Sequence, residues 1–213
     1  MTFAKRMRGA AAFSVAMLIG CGLSVPPAYA AYIVTLEQQG NNVITIGSGT
    51  LDLAGLKLTC SSGCSTNAGI FPALASIAIG STVNGNALPA RFYSGFTGPT
   101  SFGSRADSTL PNSGSGETVG IDGADKILSV PLNYVSGDAL PNSSTYNNQT
   151  LGSLGVTPGT YEWTWGSGAT ADSFTLKIVP VPEPSSLALL ALSAESCADA
   201  RRGSARCKTY RFC

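Results

Sequence analysis

The chain has 213 residues, a formal net charge of +1 and no histidine. The missing histidine excludes Ser-His-Asp and Cys-His catalysis and the usual zinc site. Residues 31–180 carry five Lys/Arg against nine Asp/Glu, an acidic stretch without a basic patch, which argues against nucleic acid as a partner.

Taken in chain order, the first element is an export signal. Lys5, Arg6 and Arg8 precede an apolar run over residues 9–23. Ala28 and Ala30 then supply the small-x-small pattern that a signal peptidase reads. Cleavage after Ala30 is expected, leaving a chain that starts at Ala31, and residues 1–30 are assigned as signal peptide. Two alternatives stay open. One is an uncleaved N-terminal anchor. In the other, Leu18-Ile19-Gly20-Cys21 resembles a lipobox, and Cys21 would carry a lipid that ties the protein to a membrane. Either signal exports the chain, so the rest works in an oxidising space outside the cytosol.

Residues 31–180 are expected to form one all-β domain. The fold class is an antiparallel β-sandwich, jelly-roll-like, with at most one short helix. Glycine, serine, threonine and asparagine are frequent, and short alternating runs stand between turn signals. Residues 32–38 and 43–46 form a predicted hairpin around Gly40, Asn41 and Asn42, since Gly and Asn tolerate positive φ. Gly47 and Gly49 are read as a bulge or bend in a strand that runs on through Leu53. Further strands are predicted at residues 76–79, 91–93 and 127–130. A final pair covers 161–165 and 172–178, where Trp163, Trp165, Phe174, Leu176 and Ile178 alternate with polar neighbours. A short helix is placed near residues 144–154, ending at Gly155.

Cys60-Ser61-Ser62-Gly63-Cys64 predicts a small disulfide-closed loop in an exported chain. Asp122-Gly123-Ala124-Asp125 is a tight acidic pair. It would either hold calcium, which needs several oxygen ligands, or form a turn in which aspartate caps local amides. Tyr161, Trp163 and Trp165 share one strand face. They would either pack in the core or form a platform for a sugar, with Trp163 and Trp165 as its rings. Glu37, Glu117 and Glu162 are the acids to test for glycoside hydrolysis, each paired with an Asp, since two acids must flank the bond. Glu37 and Glu162 fall on the polar faces of strands and are read as solvated. No cofactor is expected, and no catalytic residue is assigned.

Val181-Pro182-Glu183-Pro184-Ser185-Ser186, followed by Leu187, Ala188, Leu189 and Leu190, resembles the PEP-CTERM sorting signal of Gram-negative bacteria. The stretch at residues 159–174 and the hairpin at residues 32–53 are similar to those of small exported proteins of this family. The resemblance implies recognition through Pro182, Glu183 and Pro184 by exosortase, a membrane enzyme that cuts near the motif. It implies a non-enzymatic protein of the cell surface or extracellular matrix, in the setting of biofilm and exopolysaccharide. The alternative is a secreted carbohydrate-binding module. The prolines would hold the acid in an extended, non-helical segment.

The tail departs from the family pattern. A spanning helix needs about 20 apolar residues, and only residues 187–192 qualify before Glu195 and Asp199 interrupt. Residues 181–192 are therefore the motif and a truncated apolar run, with no stable transmembrane span expected. Residues 193–213, with Arg201 and Arg202, are an aberrant tail. A shifted reading frame and a natural variant tail are both open.

Overall fold

The computed structural model describes residues 30–81 and 86–180. Ala28 and Cys21, the Pro182-Glu183-Pro184 motif, the apolar run and the tail lie outside the described residues.

The chain enters as a hairpin of β1 (Ala30–Gln39) and β2 (Asn42–Gly49). Tyr32, Val34 and Leu36 are fully buried, while Ile33 and Thr35 between them are only partly covered, the period of two that a strand imposes. Gly40 turns the chain at φ 60°, a conformation that glycine adopts without a Cβ penalty. β2 stops at Gly49, and Thr50 to Leu53 leave the sheet. The glycines thus end a strand and do not bend a longer one. At φ 122° on Gly49 a side chain would be strained and would strike the Ala31 carbonyl of the partner strand.

The remaining strands are β3 (Lys57–Thr66), β4 (Gly69–Phe71), β5 (Ser76–Ile79), β6 (Leu88–Ser94), β7 (Ser113–Ser115), β8 (Val119–Asp122), β9 (Ile127–Pro131) and β10 (Asn142–Tyr146). A short helix α1 (Leu151–Leu154) precedes β11 (Gly159–Trp165) and β12 (Asp172–Ile178). They form two six-stranded sheets, ordered β11-β12-β1-β2-β10-β7 and β3-β6-β9-β8-β5-β4. The all-β sandwich is as expected. Every strand pair is antiparallel except β1 with β12, which run parallel from Ala30 opposite Asp172 to Leu36 opposite Ile178.

The core lies between the sheets. Tyr32, Trp163 and Phe174 stack in it, with Tyr32 and Trp163 centred 5.2 Å and 5.9 Å from the Phe174 ring. The second sheet contributes Ile70, Ile77, Ile79 and Ile121.

The expected helix is shorter than predicted. Thr150 caps α1 by accepting from the Ser153 amide, and Gly155 ends it in the left-handed conformation. Asn142 to Tyr146 belong to β10, because the buried polar side chains of Asn142 and Ser144 are satisfied inside the sandwich. Tyr32 donates to Asn142 Oδ1 at 2.6 Å, Asn142 Nδ2 donates to the Glu117 carbonyl at 2.9 Å, and Gly80 N donates to Ser144 Oγ at 3.1 Å. Burial of Asn142 also closes its Asn-x-Ser sequon.

Tyr146 is fully buried and its hydroxyl has no partner among the described residues. Burial alone pushes its pKa far up. A buried donor without a partner carries its desolvation penalty uncompensated. Tyr146→Phe is therefore expected to raise stability by about 1 kcal/mol, read as a higher denaturant midpoint at unchanged slope.

Cys60 and Cys64 form the expected disulfide, with Cα atoms 6.3 Å apart. They sit on β3, an edge strand whose register with β6 shifts between Leu58 and Cys60 and again between Cys60 and Cys64. The bridge pinches the extra residues into a bulge. A bulged edge is a poor template for another strand, a common protection against edge-to-edge association.

Candidate functional site

The outer face of the second sheet carries a trough that no single motif announced. Strand pairing aligns two rows of side chains across it. One row is Phe71, Ser76, Asp122 and Ile127, and the other is Gly69, Ala78, Gly120, Ser129 and Phe92. On β4, β5, β8 and β9 both rows alternate with Ile70, Ile77, Ile121 and Leu128, which point into the core and leave small and polar residues outward. The second row is Gly-Ala-Gly-Ser, a low floor closed at one end by the Phe92 ring. Asn67, Ser108 and Leu110 complete the walls, and the cavity measures about 300 Å³. Leu110 is held there by the chain segment that bonds to β4, where Ile70 and Thr109 exchange backbone hydrogen bonds at 2.9 Å each.

Gly120 is needed at the centre of the floor. A Cβ there would lie 2.5 Å from Ala78 Cβ and 2.9 Å from the Ile77 carbonyl, so any side chain would push β5 and β8 apart.

Asp122 is the trough's one ionisable residue. Its Oδ1 accepts from the Asp125 amide at 2.8 Å, leaving the second oxygen for a ligand. This is the capping turn foreseen for the Asp122/Asp125 pair. Among the described residues no group of three or more His, Cys, Asp and Glu could hold a metal ion. Lys126 follows in sequence but its ammonium lies over the Phe96 ring and near the Gly98 carbonyl, outside the trough lining.

The chain matches no family model, no curated protein and no solved structure.

The tryptophan platform is corrected by the fold. Trp163 is fully buried and Trp165 nearly so. Their indole N–H groups donate inward, to the Pro99 carbonyl at 2.8 Å and the Asp52 carbonyl at 2.7 Å. Neither ring can lie flat against a sugar: Phe174 and the loop at Pro99 pack on Trp163, and the segment at Asp52 and Gly55 packs on Trp165. Tyr161, half-buried, packs on Phe102 with centroids 5.8 Å apart.

The three glutamates do not assemble. Glu37 and Glu162 share the outer face of the first sheet, two strands and four residues apart by register, roughly 16 Å from strand spacing and rise. That exceeds the separation at which two carboxylates hydrolyse a glycosidic bond. Glu117 is exposed in the loop before β8.

A second hollow, about 370 Å³, lies beside the end of β12 and includes Glu162, Trp165 and Asp172. Asp172 is buried there, and its pKa is raised to about 6, chiefly by burial and further by the Asp52 carboxylate. Both of its oxygens are already engaged, by the amides of Asp52 and Ser173. It fastens the segment after β2 to β12. No helix among the described residues is long and apolar enough to cross a membrane.

Sequence reading missed Phe71, Phe92, Ser76, Gly120 and Ser129. A signal was present. In Gly69-Ile70-Phe71, Ser76-Ile77-Ala78 and Gly120-Ile121-Asp122 an isoleucine stands between two outward residues. Three-residue alternations are too short to separate from loop, and only the pairing register unites them.

Proposed function

We propose that this chain is an exported, non-enzymatic protein of the cell surface or extracellular matrix that holds polysaccharide in the trough. The trough is the observation that supports the reading. Phe71 and Phe92 offer apolar rings at its two sides, and Asn67, Ser76, Ser108 and Asp122 offer hydrogen-bonding groups between them. A few polar groups set among apolar walls is the usual make-up of a ligand site. The trough holds one carboxylate where glycoside hydrolysis needs two, which favours binding over cleavage.

Export rests on the signal pattern of residues 1–30. Sorting rests on the resemblance of Pro182, Glu183 and Pro184 to the PEP-CTERM motif, with exosortase as the partner. The disulfide on an exposed edge strand suits an oxidising compartment. A lipid on Cys21 would tether the same domain to a membrane.

The test is retention of the full-length chain on immobilised exopolysaccharide from its own cells. Phe71→Ala and Phe92→Ala should each weaken retention about tenfold, equivalent to 1.4 kcal/mol, with little change in melting temperature. Undiminished retention by the double variant would reject the trough as the site.

A further inference from the structure

We infer that the trough selects an uncharged polysaccharide segment, lying across the strands, and rejects polyuronates. The inference rests on the reading that the trough binds polysaccharide, and it names the class.

The direction comes from the floor. Gly69, Ala78, Gly120 and Ser129 lie on four adjacent strands in register. Together they make a track perpendicular to the strands, roughly 14 Å long from the inter-strand spacing. Phe92 closes the track on β6, and Leu110 flanks it beside β4. A chain of sugar rings laid along the track meets small residues beneath and apolar groups at both ends. A chain laid along the strands would have to cross the raised row of Phe71, Ser76, Asp122 and Ile127.

The class comes from charge. The lining contains no Lys or Arg and one acid, Asp122. A uronate polymer would bring its carboxylates against Asp122 with no cation to receive them, and like charges at close range repel. The remaining polar groups are an amide and hydroxyls, which donate and accept. These match sugar hydroxyls, which do the same. Asp122, with Oδ1 held by the Asp125 amide, is a fixed acceptor for one of them. A cationic amino-glycan would find a single, partly engaged carboxylate, too little charge to favour it over neutral chains.

The experiment is calorimetric titration of the purified full-length protein with three kinds of probe. These are a panel of neutral glucans and mannans, alginate as the polyuronate, and chitosan as the amino-glycan. At least one neutral polymer should bind, with an affinity that barely changes from low to high salt. Alginate should bind at least tenfold more weakly than that polymer. Asp122→Asn should raise alginate binding about fivefold, the effect of removing one nearby like charge. Phe71→Ala should lower neutral binding about tenfold. Alginate binding tighter than every neutral polymer would overturn the inference. So would chitosan binding that is strongest, fades with salt and falls in Asp122→Asn. In both cases a loss in Phe71→Ala would keep the trough itself as the site. Binding of no probe, or binding untouched by Phe71→Ala, would overturn the trough reading together with the inference.

Discussion

Trp163→Ala should cost about 3–5 kcal/mol, the range for removing a large buried aromatic, and should lower the melting temperature sharply. The ring is fully buried, meets Phe174 edge-on at 76° between planes and donates its indole hydrogen to the Pro99 carbonyl. Truncation would remove the packing and orphan that carbonyl together. Backbone nearby is fitted to the indole: a Cβ on Gly98 would lie 2.5 Å from Trp163 Cδ1, and one on Gly123 would lie 2.8 Å from its Nε1. Trp163→Phe keeps an aromatic ring and loses the hydrogen bond, so it should fall between wild type and alanine. Thermal melts of the three proteins check the order. A Trp163→Ala protein that melts like wild type and fails to bind polysaccharide would restore the tryptophan as a sugar platform.

The second large effect is on pH. Asp172 has a native pKa of about 6 against an ordinary value of 3.8, with burial as the first cause and the Asp52 charge as a further one. Below the ordinary value both folded and unfolded chains hold the proton, and the group contributes nothing to the slope. Between the two values the folded chain keeps the proton while the unfolded chain releases it. Rising pH therefore favours unfolding across this window. Above about pH 6 both forms are ionised, and the native state carries a constant penalty of up to about 3 kcal/mol. Stability from this group is greatest near pH 4 and lost as pH climbs to 6. Asp172→Asn should flatten that part of the curve, since the amide keeps one acceptor oxygen and cannot ionise. Urea midpoints taken from pH 4 to 7 for both proteins provide the check. Parallel curves would show that Asp172 is not the group responsible.

The long strands were legible because their alternation is strong. Tyr32, Val34 and Leu36 on β1, and Phe174, Leu176 and Ile178 on β12, mark buried faces by themselves. The Cys60–Cys64 bridge was legible from spacing. β10 was not, because Asn142 and Ser144 are buried polar residues whose burial depends on hydrogen bonds to Tyr32, Glu117 and Gly80, all distant in sequence. β3 was hidden by its exposure and by the bulge at the disulfide. The parallel seam between β1 and β12 joins chain segments too far apart for any local pattern to predict. The trough needed all of this at once. Its floor is built from glycine, alanine and serine, residues chosen for what they leave empty, and its two phenylalanines come from strands at opposite sides of the sheet.

The central claim is that polysaccharide lies on the outer face of the second sheet. Backbone and aromatic NMR shifts of the labelled full-length chain, followed during titration with a bound neutral oligosaccharide, test it most directly. The expected result is a band of shifts at Phe71, Ser76, Gly120, Asp122, Ser129 and Phe92, with the indole hydrogens of Trp163 and Trp165 unmoved. Shifts gathered instead around Glu162, Trp165 and Ser173 would move the site to the other hollow and contradict the account.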